Sequence, residues 1–127
     1  MTDEQLLQHA ADVRENAYAP FSKFFVGAAL VTADGKLYTG CNVENSSYGL
    51  SICAERNAIA GMVAAEGKTD IKRIAVVANR LASPCGACRQ VIVEFGDEIE
   101  VISASAKDLE QISRWQITDL LPAHFKL

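Results

Sequence analysis

The chain has 127 residues, enough for one domain whose folding buries roughly two thirds of the unfolded surface without disulfides or a metal. Hydrophobic residues make up 50% and charged residues 22%, which excludes disorder, while eight Gly and three Pro exclude a collagen-like or low-complexity chain. Twelve basic against sixteen acidic residues give a net charge of −4, a poor surface for nucleic acid, and no apolar run approaches the ~20 residues of a membrane span.

Residues 1–127 read as one domain, with no repeat, linker or shift in composition. Thr2 and Gln5 have capping-box spacing and Leu6, Ala10, Val13 and Ala17 recur at helical intervals, so the chain opens with a helix. Pro20 turns it into a loop through Ser22 and Phe24. Val26 to Thr32 predicts a strand, Asp34-Gly35 a hairpin turn, and Leu37 to Cys41 a second strand. Asn42 to Ser51 is polar and rich in turn formers, which predicts a loop. Cys53 to Glu66 has helical character and stops at Gly67, and Ile74 to Ala78 is a short apolar run suited to a buried strand. After the Ser83-Pro84 break, Cys85 to Phe95 predicts a helix ending at Gly96, Glu100 to Ala104 a strand, and Thr118 the cap of a short helix ending near Pro122. A hairpin followed by alternating helices and strands argues for a mixed sheet covered by helices.

The N-terminal Met-Thr-Asp-Glu-Gln-Leu carries acids where a signal peptide needs basic residues, which predicts a cytoplasmic protein with reduced thiols. Four cysteines in that setting point to metal or chemistry before disulfides. Cys85 and Cys88, three apart at a helix start, share a helical face, and Cys53 starts the other helix. Both starts lie at the positive end of a helix dipole, which favours thiolates. Three thiolates leave one position of a tetrahedral zinc open, as catalytic zinc requires. Glu55 stands two residues after Cys53, where a carboxylate beside zinc-bound water can take and return a proton. Zinc with three thiolates carries a net negative charge, which Arg56 and Arg89, each adjacent to one of these residues, could offset by hydrogen bonds to sulfur. Read alone, the Cys85/Cys88 pair equally suits a thioredoxin-like redox motif, a structural zinc site or buried thiols. Cys41 reads as a small buried hydrophobe at a strand end.

Cys53-Ala54-Glu55 followed by Pro84-Cys85-Gly86-Ala87-Cys88 resembles the zinc nucleoside deaminases, specifically the small cytidine deaminases of the three-cysteine type. The likeness extends to Pro20-Phe21-Ser22-Lys23-Phe24, Val26-Gly27-Ala28-Ala29-Leu30, Asn42-Val43-Glu44-Asn45, Cys88-Arg89-Gln90 and Leu120-Leu121-Pro122 with Phe125. It covers the chain almost end to end. Phe25 stands where such chains frequently carry Pro, and Gly49-Leu50-Ser51 is not their commonest loop.

The resemblance implies a three-layer α/β/α sandwich around a mixed sheet, with one Zn2+ per subunit held by Cys53, Cys85 and Cys88. It implies attack of zinc-bound hydroxide at C4 of cytidine or deoxycytidine, with Glu55 shuttling protons to N3 and the departing amine, as in pyrimidine salvage. Asn42 and Glu44 would hold the sugar 3′-hydroxyl, the Ala54 N–H would meet the base, and Phe24 would pack on the pyrimidine. Tyr48 and Phe125 would lie near a neighbouring subunit's site in a homotetramer, to which the slightly apolar mean hydropathy of +0.09 adds weak support. A deaminase of a modified or antibiotic aminonucleoside is the nearest alternative, and a redox or structural-zinc module the rival from another class.

Overall fold

The computed structural model describes Met1–Leu127. Helix α1 (Asp3–Arg14) opens on a reciprocal capping box: Gln5 N–H donates to Thr2 Oγ1 at 3.1 Å and Thr2 N–H to Gln5 Oε1 at 2.9 Å. Such a cap contributes about 1 kcal/mol. Leu6, Leu7 and Ala10 form the buried stripe, and the helix stops at Arg14, so Ala17 lies beyond it.

Strands β1 (Gly27–Thr32) and β2 (Leu37–Cys41) form the hairpin, with Gly35 at φ +88° in the turn. The following loop contains a short 3-10 turn at Tyr48–Leu50. Helix α2 (Ala54–Glu66) has Cys53 at its N-cap position and stops at Gly67. Strand β3 (Ile71–Ala78) begins at Ile71 rather than Ile74: Lys72 and Arg73 break the apolar run, but the pairing with β1 continues past a bulge at Lys72 to Ile71. Helix α3 (Gly86–Val93) has Cys85 at its N-cap position, β4 spans Glu100–Ser105, and α4 is the short helix Ile117–Leu120. Thr118 lies inside α4; its N-cap is Gln116, whose side chain makes no capping bond.

Strand β5 (Asp108–Gln116) has no counterpart among the elements expected from sequence. It is an edge strand of largely polar residues, so its alternation is faint; Leu109 and Ile112 pack on the α1 face and Trp115 on the other, all only partly buried. The sheet order is β2-β1-β3-β4-β5, and only β3 and β4 run parallel, joined by a crossover that contains α3.

Two cores flank this sheet. On one face Ala58, Met62, Ile92 and Ile117 pack with Leu30, Ile74 and Val101; on the other Leu6, Leu7 and Ala10 pack with Ala29, Ala75, Val77 and Ile102. The molecule is therefore the three-layer α/β/α sandwich with a mixed sheet. Two glycines set the helices close to it. A Cβ at Gly27 would lie 1.9 Å from the Ala10 carbonyl oxygen, and one at Gly40 would lie 2.4 Å from the Ala58 nitrogen. Asp3 ties α1 to the sheet through ion pairs with Arg73 of β3 and Arg114 of β5. No helix is long and apolar enough to cross a membrane.

Candidate active site

Helices α2 and α3 begin at one place, and each begins with a cysteine. Neither Cys53 nor Cys85 makes a side-chain capping bond. A Ser or Asp cap would contribute about 1 kcal/mol at each position, so stability is conceded here. In exchange, the uncapped first-turn amides of both helices surround the thiols with positive potential.

The Sγ atoms of Cys53, Cys85 and Cys88 all lie within 4.8 Å of one another, with Cys53 and Cys85 at 3.8 Å. Tetrahedral zinc with Zn–S bonds of about 2.3 Å separates its sulfurs by roughly 3.8 Å, so the donor set fits that ion. A disulfide would need about 2.05 Å and a pair, not a trio. The three thiols fit a zinc site, and their convergence favours it over the redox-pair reading of Cys85/Cys88.

The thiols differ in their hold on protons. The Cys53 thiol is pulled well below its ordinary value, first by the hydrogen bond from Cys88 and then, against its burial, by those from Arg56 and Cys85. Cys88 is buried and shifts upward, through the same bond to Cys53 and through desolvation. Arg56 Nη2 donates to Cys53 Sγ at 3.4 Å, and the guanidinium's own proton affinity rises through its bonds to Cys53 and Cys88.

Arg89 does not do this. Its Nε donates to the Pro84 carbonyl at 2.8 Å, Nη1 to the Leu120 carbonyl at 2.7 Å and Nη2 to Ser83 Oγ at 3.0 Å. The expectation that Arg89 donates to sulfur is corrected: adjacent helical residues point about 100° apart, and the neighbour of Cys88 turns toward the chain's C-terminal segment.

A cavity of about 190 Å³ opens beside the thiols, lined by Cys53, Cys85, Ala54, Glu55, Phe24 and Asn42 with Val26, Val76, Ala82 and Ser83. Glu55 is 4% exposed, and burial pushes its carboxyl up to about 7. None of the last four was marked in sequence as lining the site: Val26 and Val76 read only as strand residues, and Ser83 only as part of a break.

Asn42 is wired to the cavity wall. Its Nδ2 donates to the Phe24 carbonyl at 2.8 Å and its Oδ1 accepts from Val26 N–H at 2.9 Å. One donor and one acceptor position remain on that amide. Glu44 lies instead in an adjoining depression of about 350 Å³ with Phe21, Ser22, Tyr48 and Ser51. It accepts from the Phe21 and Ser22 amides at 3.0 and 3.2 Å and from the Ser22 hydroxyl at 2.5 Å. The Ser22 hydroxyl bond leads in keeping the Glu44 carboxyl below its ordinary value. Three of four acceptor positions are thus filled and one is left on Oε2. Tyr48 is 75% and Phe125 69% exposed; Phe125 lines neither hollow, and its carbonyl accepts from Gln90 Nε2 at 3.1 Å. Cys41, expected to be buried, is half-exposed at the end of β2.

A sandwich with a three-thiol cluster that fits zinc and a buried carboxyl at one helix start defines a class of zinc hydrolase. The model of the cytidine and deoxycytidylate deaminase zinc-binding region matches residues 1–104. A cytidine deaminase of Sporosarcina psychrophila is 45% identical, with 98% of this chain and 92% of that protein covered. The crystal structure of cytidine deaminase from Burkholderia pseudomallei superposes with a TM-score of 0.92 at 46% identity, covering 98% of this chain and all of the other. That from Mycobacterium tuberculosis gives 0.86 at 36% identity, covering 100% and 99%. The chain belongs to the zinc-dependent cytidine and deoxycytidylate deaminase family.

Proposed function

We propose that residues 1–127 act as one deaminase domain converting cytidine and deoxycytidine to uridine and deoxyuridine. The observation that carries this reading is Glu55: a buried carboxyl, raised to about 7, in the cavity lined by Cys53 and Cys85. A carboxyl buried at the wall of that cavity is placed to take a proton from water and return it to the substrate. When bound by Cys53, Cys85 and Cys88, zinc supplies Lewis-acid activation of the water that replaces the amino group.

The protein's own residues do the rest. Glu55 moves a proton to N3, which makes C4 electrophilic, and later one to the departing amine nitrogen. Phe24 supplies an aromatic face for the pyrimidine, and the Ala54 N–H, unused at the helix start, meets the base. The remaining acceptor on Glu44 and the remaining donor on Asn42 suit a sugar 3′-hydroxyl, which can give one hydrogen bond and receive another. Their other bonds hold them in place beforehand, so little ordering is left to binding.

Assembly as a homotetramer completes the proposal. Phe21, Tyr48, Leu50, Ile52 and Phe125 are all exposed. Phe21 and Tyr48 meet edge to face with centroids 5.8 Å apart, a pre-formed apolar surface at the mouth of the Glu44 depression. The test is direct: purified protein should carry one zinc per chain and release ammonia from cytidine, and chelation should end both. Full activity in metal-free protein overturns the reading.

A further inference from the structure

The Lys23–Val26 segment brings Phe24 to the cavity without belonging to any strand, so its backbone polar groups need partners from elsewhere. On one side Asn42 supplies them. On the other stands Asn79, just past the end of β3. Its Oδ1 accepts from Phe25 N–H at 3.1 Å and its Nδ2 donates to the Lys23 carbonyl at 2.9 Å. The same Oδ1 accepts from Arg14 Nη2 at 2.5 Å, and Arg14 Nε donates to the Phe25 carbonyl at 2.8 Å.

Lys23 has φ +58°, a left-handed conformation that a non-glycine residue keeps only when its surroundings impose it. Asn79 holds that residue's carbonyl and the amide two residues on, so Phe24 hangs between two fixed points. Arg80, the next residue, places its guanidinium carbon 5.0 Å from the centroid of the Phe24 ring. Phe25 also gains a meaning. A proline at this position would offer no N–H, so half of the Asn79 clamp depends on the residue this chain carries there.

We propose that Asn79 is a positioning residue for pyrimidine recognition, fixing the backbone on both sides of Phe24 while Arg80 steadies the ring. The proposal rests on Phe24 packing against the base. A wall fixed in advance spares the substrate the cost of ordering it, and stacking is present in ground and transition states alike, so its loss falls on KM rather than kcat.

Asn79→Leu, similar in size but unable to hydrogen-bond, is compared with wild type and with both proteins carrying Phe24→Ala. Zinc content should stay at wild type, cytidine KM should rise roughly tenfold, and kcat should change less than about threefold. In the Phe24→Ala background the same substitution should add less than about twofold to KM, the non-additivity of residues acting through one another. Amide exchange at Phe25 should quicken in Asn79→Leu. An unchanged KM, or the full increase without Phe24, overturns the proposal. Should Asn79→Leu not fold, Arg80→Ala at its exposed position takes its place in the same cycle, and the same two results overturn the proposal. Wild-type protein that releases no ammonia from cytidine sinks the deaminase reading and this proposal together; active wild type with an unaltered variant KM sinks this proposal alone.

Discussion

Arg56 Nη2 donates to Cys53 Sγ across 3.4 Å, close to one turn along α2, while the Nε of the same guanidinium is buried with no hydrogen-bond partner. An unsatisfied buried donor costs about 1–3 kcal/mol, so the cation is held at the thiols against a local penalty. With zinc bound, its charge would offset the excess negative charge of three thiolates. Arg56→Gln should therefore weaken zinc retention about 10- to 100-fold, read by competition with a chelator. Retention equal to wild type would show that this charge has no part in holding the metal.

Glu55→Ala separates chemistry from metal binding. The carboxylate lies outside the thiol trio, so the variant should keep its zinc while turnover falls at least ~10²-fold. Near-normal turnover with full metal content would remove Glu55 from proton transfer.

The ionised Glu44 should repel phosphate at the sugar. Ammonia release from 3′-CMP should run at least roughly tenfold slower than from cytidine, and Glu44→Gln should narrow that gap while slowing cytidine itself. Equal rates on the two substrates in wild type would remove Glu44 from the sugar site.

The Asp3 cluster sets an acid limit on stability. Burial raises the Asp3 carboxyl, but hydrogen bonds and charges from Arg114 and Arg73 together outweigh it, and the net shift is downward from 3.8. A carboxyl lowered in the folded state stabilises above its unfolded value and loses that contribution as pH falls through the folded one. The melting-temperature advantage of wild type over Asp3→Asn should thus be level above about pH 5 and shrink steadily below about pH 4. A difference independent of pH across that range would show that the ion pairs contribute nothing.

A shared site in a tetramer can be read by mixing. Glu55→Ala subunits lack the proton carrier but keep Phe125, whereas Phe125→Ala subunits keep Glu55. If Phe125 works across an interface, co-assembly of the two creates some complete sites and activity recovers. Mixed tetramers without recovery, or a monomer in solution, would defeat the shared site.

The chemistry was more legible in the sequence than the framework that presents it. Cys53, Cys85 and Cys88 stand at helix starts that local signals mark, so their convergence followed once two helices were placed on one sheet. Arg89 misled because adjacency in sequence implies divergence on a helix. Strand β5 stayed hidden because its apolar residues Leu109, Ile112 and Trp115 recur every three positions rather than every two, out of step with strand alternation. Asn79 left no trace, since its partners lie 54 and 56 residues away and a lone Asn after an apolar run reads as a turn former.

Gly27 and Gly40 lie on opposite faces of the first hairpin, Gly27 opposite Cys41 and Gly40 opposite Ala28. Each admits a helix backbone to a distance that no side chain would permit, so this corner is pinned from above and below. It is also the corner from which the chain runs on to Asn42 and back to Phe24. Variation in this scaffold therefore has little room in the thickness of its layers there. Room for a change of substrate range lies instead at the rim, in the exposed Tyr48–Leu50 turn and around the Phe21 side chain.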